Sequence, residues 1–209
     1  PYDTRIVDSR KMPQNKLPAI NDDGEVIVDS TQCIAYLKAK HGDCLNDARL
    51  SPEQAAVARA MHALLEKDFY FAAVVLRWAD DENFKVLGPV LADYGRSVGV
   101  PSFIAGFLPK LVRRSILAQA KAQGTGRCSH DQIVEQGKQI MRALGDFLGD
   151  KPYMMGEEPS TLDASAYAFV SAALLANIVN PLREFVQAMP NLVAYHERMK
   201  AAYWAETKA

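Results

Sequence analysis

Over the first 42 residues, apolar positions fall in short clusters: Thr4–Val7 (TRIV), Leu17–Ile20 (LPAI) and Glu25–Val28 (EVIV). Clusters this short, bounded by turn formers, predict strands. Asn21-Asp22-Asp23-Gly24 is a strong turn signal, so the second and third clusters predict a hairpin. Pro18 stands inside the first arm of that hairpin, where a residue without an N–H is unusual. At Ser30 the pattern changes. STQCIAYLKAKHG predicts a helix capped by Asp29 or Ser30, with Ile34 and Leu37 on one face, Lys38 and Lys40 near its end and Gly42 as its stop.

From Ser51 onward the spacing is helical and no strand is predicted. Val57, Met61, Leu64, Leu65, Phe69, Val75 and Leu76 recur at helical intervals, predicting one long helix from Ser51 to Asp81. Ser51, Pro52 and Gln54 form its N-cap, N1 and capping-box positions. Further helices are predicted over Pro101–Gln123, from Ser129 or His130 to Leu148, over Pro181–Ala188 and over Pro190–Trp204. In the helix ending at Leu148, Gly137 and Gly145 either weaken the helix or permit close packing. Ser160 and Asp163 stand at capping-box spacing before a run that is apolar nearly all round, which predicts a central buried helix. The organisation is an α/β unit over 1–42, a linker over 43–50 and an all-helical domain over 51–209.

Charge and composition narrow the function. The 24 Lys+Arg and 25 Asp+Glu leave a net charge of −1, so the chain as a whole has no electrostatic bias toward nucleic acid or an anionic membrane. The longest apolar stretch, Ala164–Val179, is broken by Ser165, Ser171 and Asn177, and no membrane span is predicted. Cys33, Cys44 and Cys128 match no zinc or CxxC spacing, which fits reduced thiols in a cytoplasmic protein. His41, His62, His130 and His196 show no metal-ligand spacing, and no metal is expected. Arg77, in the middle of VVLRWA, needs a partner or a ligand, and Asp80 and Asp81 are its nearest candidates. Arg113 and Arg114 read as a solvated face.

Taken together, the Leu17-Pro18 hairpin, Asp29-Ser30 followed by CIAYL, and the Ser160…Asp163 box in FLGDKPYMMGEEPSTLDASAYAF resemble the glutathione S-transferase superfamily. NLVAYHERM fits the same family. LRWADDENF is most similar to its bacterial branch related to metaxin and failed-axon-connections proteins. The resemblance implies a thioredoxin-like N-terminal domain, whose first strand and helix are not in this sequence, and an all-α C-terminal bundle. It implies about 25–35 further residues upstream, the size of a βαβ unit, with the thiol-activating catalytic residue expected there, upstream of Pro1.

The resemblance also implies roles. The Leu17-Pro18 bond is expected to be cis, presenting Leu17's backbone to glutathione as a strand would. Ser30 and the helix start receive the γ-glutamyl carboxylate, Asp29 faces its ammonium, and Lys16 and Lys11 are further glutathione contacts. Tyr70, Arg77 and Trp78, with Phe69 beside them and Tyr203 and Trp204 as outsiders, are expected to wall the pocket for a small hydrophobic electrophile. Ser160 and Asp163 are expected to be a structural helix cap. A homodimer is expected. The implied function is transfer of the glutathione thiol to an electrophile, or its use in thiol-dependent reduction. The alternative is a non-catalytic, metaxin-like adaptor on the same fold.

Overall fold

The computed structural model describes residues 2–204. Strands β1 (Ala19–Asp22) and β2 (Glu25–Val28) form a two-stranded antiparallel sheet with Ala19 opposite Val28 and Asp22 opposite Glu25. Asp23 (φ 51°) and Gly24 (φ 97°) turn the chain between them, and Asn21 Oδ1 accepts a hydrogen bond from the Gly24 amide at 3.0 Å. Positive φ at both central residues matches the twist of the strands. Pro18 lies just ahead of β1, outside the ladder, so its missing N–H leaves no gap. Its carbonyl accepts from the Asp29 amide at 3.1 Å. Helix α1 (Ser30–His41) follows and packs on the hairpin through buried Cys33, while Leu37 is 41% exposed.

Thr4–Val7 is not a strand. A strand needs a ladder partner for its backbone groups, and among the described residues the sheet consists of β1 and β2 alone. The stretch 43–50 is tied at both ends. Lys38 Nζ reaches Asp43 (3.1 Å) and Asp47 (2.5 Å), Asp47 Oδ1 accepts from the Thr161 amide (3.0 Å), and Arg49 donates to the Glu158 carbonyl (2.7 Å).

The long helix expected over 51–81 has three parts. Helix α2 (Pro52–Ala63) starts at the Ser51/Gln54 capping box. A π-helical segment, Leu64–Phe69, leads into α3 (Tyr70–Trp78), which ends three residues early. The Asp80 carboxylate then accepts from the Asn83 amide (2.9 Å) and starts α4 (Asp81–Ser97), an element that hydrophobic spacing alone does not reveal. Its Gly88, Pro89 and Gly95 obscure the pattern. Gly95 marks a close approach, since a Cβ there would stand 2.7 Å from Leu108 Cδ2. The helix expected over Pro101–Gln123 is likewise divided, into α5 (Ser102–Ala105) and α6 (Leu108–Gln123), because the chain turns at Gly106–Phe107 and restarts with Pro109 in the first turn.

Helices α7 (His130–Leu148), α8 (Thr161–Leu174), α9 (Arg183–Gln187) and α10 (Pro190–Tyr203) complete the bundle. Ile133, Ile140, Met141, Leu144 and Leu148 of α7 meet Leu65, Phe69, Leu76, Val170, Leu192 and Tyr195 in one core. Phe69 and Phe169 meet edge to face at 5.8 Å. Each large side chain buried here contributes about 1.5–3 kcal/mol. Gly137 permits close packing, for a Cβ there would stand 2.8 Å from Leu182 Cδ1. Helix α8 is central on one side only: Ala164 and Ala168 face solvent, which alanine tolerates without penalty.

Candidate functional site

The corner between the hairpin and α1 gathers most of the residues that the sequence singles out. The Leu17–Pro18 peptide is cis. Leu17 is 45% exposed, and its amide and carbonyl take part in no hydrogen bond among the described residues. Next to it, Lys16 Nζ donates to Asp29 Oδ2 at 2.6 Å. Asp29 is the N-cap of α1, accepting the Thr31 amide on Oδ1 at 3.1 Å. The Lys16 bond holds its carboxyl below the usual carboxylate range, against a smaller opposing effect of burial. Its backbone, at φ 75° and ψ 130°, lies where L-residues rarely go. Such a conformation costs on the order of 1–3 kcal/mol and persists only where its surroundings impose it. Ser30 follows as the first helical residue, exposed, with its hydroxyl in no hydrogen bond among the described residues. The corner therefore offers a free strand-like edge at Leu17, a free hydroxyl and helix amides at Ser30, and a carboxylate at Asp29. Lys11 is not part of this cluster. It lies exposed at the end of the 3₁₀ turn Ser9–Lys11, near Asp8.

The helical domain contributes a group that sequence spacing does not single out. Glu66, in the π segment, is close enough to Lys16 for its charge to help keep that ammonium protonated, after the larger effect of Asp29. Glu66 also meets His62 Nε2 at 3.4 Å, and His62 Nδ1 meets Ser165 Oγ at 3.0 Å. The i,i+4 spacing of His62 and Glu66 was the available signal. His62 borders a cavity of about 240 Å³ between α1, α2 and the start of α8, with Thr31, Ile34, Leu50 and Leu162 on its walls.

Of the expected electrophile pocket, Tyr70 is 47% exposed and stands edge-on to Phe71, whereas Phe69 is wholly buried in the core. Arg77 is half-buried and Trp78 is partly buried. Burial lowers the Arg77 guanidinium from its ordinary range, and no acid pairs with it among the described residues. Asp80 and Asp81 do not serve it. They lie beyond the end of α3, where Asp80 caps α4 and Asp81 pairs with Arg113 at 2.8 Å. Arg113 is no solvated surface residue: its guanidinium donates to the carbonyls of Trp78 (2.7 Å) and Ala79 (2.6 Å), closing the end of α3, and lies over the Phe84 ring. The cavity beside Arg77 holds only about 10 Å³. Tyr203 and Trp204 meet near Tyr167, with Trp204 stacked on that ring at 4.5 Å.

Ser160 and Asp163 lie elsewhere, deep in the bundle. Asp163 Oδ1 accepts from the Met154 amide (2.8 Å), and Oδ2 from the Ser160 amide (2.8 Å) and hydroxyl (2.7 Å). The Tyr195 hydroxyl donates to the Asp163 carbonyl at 3.1 Å, and burial pushes that phenol well above its ordinary range. Every oxygen of this carboxylate is occupied by the protein itself. Among the described residues, no group of three His, Cys, Asp or Glu side chains is placed to hold a metal. No helix there is long and apolar enough to cross a membrane.

Comparison with known proteins places these features in context. The family model of the glutathione S-transferase N-terminal domain matches residues 1–83, and that of the C-terminal domain matches residues 137–199. The isoprene-epoxide–glutathione S-transferase of Rhodococcus sp. (strain AD45) is 37% identical over 91% of this chain and 79% of its own. Failed axon connections of Drosophila melanogaster is 32% identical over 90% of this chain and 46% of its own; human metaxin-2 is 28% identical over 93% and 72%. Among solved structures, the β-etherase LigF of Sphingobium sp. strain SYK-6 superposes with a TM-score of 0.56 at 18% identity. It covers 90% of this chain and 75% of its own, a likeness of fold.

Proposed function

The chain belongs to the glutathione S-transferase superfamily, and from that premise we propose that it binds glutathione at the hairpin–α1 corner and transfers its thiol to a small hydrophobic electrophile. The observation that carries the proposal is the spare bonding capacity gathered there. Leu17 has a free amide and carbonyl for the cysteinyl backbone of the tripeptide, paired as an added strand. The α1 amides and the Ser30 hydroxyl receive the γ-glutamyl carboxylate at the positive end of the helix. Asp29, oriented by Lys16, meets the ammonium of the same residue.

The kind of electrophile follows from the 37%-identical relative named for isoprene epoxide. In such a reaction the thiolate sulfur attacks an epoxide carbon, the C–O bond breaks and the alkoxide takes up a proton. No side chain of this chain is assigned the activation of the thiol. A cytoplasmic homodimer is part of the same proposal, checked by light scattering and fractionation.

Calorimetric titration of glutathione into the protein tests the reading, with binding in the micromolar-to-millimolar range as the expected result. Absence of heat at millimolar glutathione would sink it. It would leave the metaxin-like relatives as the better guide, with the fold acting as a non-catalytic binding surface. If glutathione binds, conjugation to a small alkene epoxide, followed by mass spectrometry, tests the transfer itself.

A further inference from the structure

The whole-chain charge of −1 conceals a one-sided segment. Between Asp93 and Asp131 there is no acidic residue, yet the stretch carries Arg96, Lys110, Arg113, Arg114, Lys121 and Arg127. Arg96 pairs with Asp93 and Arg113 is engaged with Asp81 and the end of α3. Lys110, Arg114 and Lys121 are exposed, and their side chains form no ion pair or hydrogen bond among the described residues. At 100° per residue they fall within about 40° of one another on α6. Lys110 and Arg114 border a recess of about 470 Å³ floored by Phe84 and Leu117.

Beside this cationic stripe the chain exposes large apolar side chains where α5 turns into α6. Phe103 is 76% exposed, Phe107 65%, Leu111 62% and Ile104 44%. Phe103, Phe107 and Leu111 follow one another at four-residue intervals. Isolated exposed apolar residues are ordinary, but four large ones within nine residues of chain, next to unpaired cations, are not. Aromatic and aliphatic side chains beside Lys and Arg are the composition of a surface that lies in the headgroup region of a bilayer.

We propose that the α5–α6 corner is a docking surface for an anionic lipid membrane. Phe103, Ile104, Phe107 and Leu111 enter the boundary between headgroups and acyl chains, and Lys110, Arg114 and Lys121 meet lipid phosphates. Charge complementarity selects this occupant. A two-fold contact that set α6 against α6 of a second copy would bring these unpaired cations together. The surface lies on α5 and α6, apart from the glutathione corner, and the proposal stands independently of that reading.

The test is co-sedimentation of the protein with phosphatidylcholine vesicles, with and without phosphatidylglycerol. Binding is expected on the anionic vesicles at low salt and is expected to weaken as salt rises. The double variant Lys110→Glu/Arg114→Glu is expected to weaken binding about tenfold or more. Phe103→Ser/Phe107→Ser is expected to do the same through lost insertion. Circular dichroism and the unfolding midpoint are expected to stay unchanged in both, because all four side chains are exposed. Failure to bind anionic vesicles, or binding by both variants as tight as that of the parent, overturns the proposal. So does a concentration-dependent dimer abolished by Phe103→Ser/Phe107→Ser without vesicle binding, which would give the face to a second copy. Binding of an oligonucleotide in place of vesicles would overturn it equally, giving the face to nucleic acid.

Discussion

Two helices of this protein begin with an aspartate and a serine, and the two starts differ in almost every physical respect. At α8 the pair is sealed. Asp163 is fully buried, its carboxylate accepts three hydrogen bonds and Tyr195 closes the carbonyl behind it. At α1 the pair is open. Asp29 is held by Lys16 and the Thr31 amide, while Ser30 and Leu17 keep unused bonding capacity. The same residue types thus fix a fold in one place and offer a recognition surface in the other. What separates them is where each residue stands in its cap and how many bonds it already makes.

Removing the sealed carboxylate is expected to have the largest effect. Asp163→Ala leaves the buried Met154 and Ser160 amides without acceptors and is expected to cost ~3–5 kcal/mol of stability, read from urea unfolding. A stability near that of the parent would erase the distinction between the two starts. Next in size is Ser30→Ala. It is expected to weaken glutathione binding about 10- to 100-fold, the loss of one bond to a charged group, while stability changes by less than ~0.5 kcal/mol. An unchanged affinity would reduce Ser30 to a first helical residue. Tyr195→Phe is expected to cost ~1 kcal/mol, from one buried hydrogen bond, again by urea unfolding.

The smallest effect concerns Asp29. Its folded pKa is depressed, chiefly by Lys16, so its contribution to stability is present above the ordinary carboxylate pKa near 4 and is lost as pH falls through the lower folded value. Carboxyl NMR titration of Lys16→Met is expected to show the Asp29 midpoint moving back up toward that ordinary value. A midpoint that stays put would mean that Lys16 does not set the electrostatics of the open corner.

Local chemistry was readable from the residues. The Asn21–Gly24 turn, the Ser51 box and the stop at Gly42 each rest on neighbours within four positions. The open corner was partly readable, because Lys16, Pro18, Asp29 and Ser30 sit within one hairpin and helix start. What escaped depends on distance along the chain. Arg113 reads as a surface cation until α6 is laid against the end of α3, where two carbonyls lie 34 and 35 residues away. Glu66 acquires meaning only when the helical domain is folded against Lys16. Helix α4 is masked by small residues that follow packing against α6 rather than periodicity. Thr4–Val7 shows the converse, since a strand-like composition yields no strand without a neighbour.

The π segment at Leu64–Phe69 acts as a phase offset between two halves of one rod. Its upstream half is set so that His62 faces Ser165; its downstream half is set so that Leu76 enters the core beside α7. Winding the same six residues as ordinary α-helix would rotate one half against the other by about 100°. Either Phe69 and Leu76 would swing out of the core or His62 would lose Ser165. The winding at this one point therefore sets which neighbours each half of the rod meets.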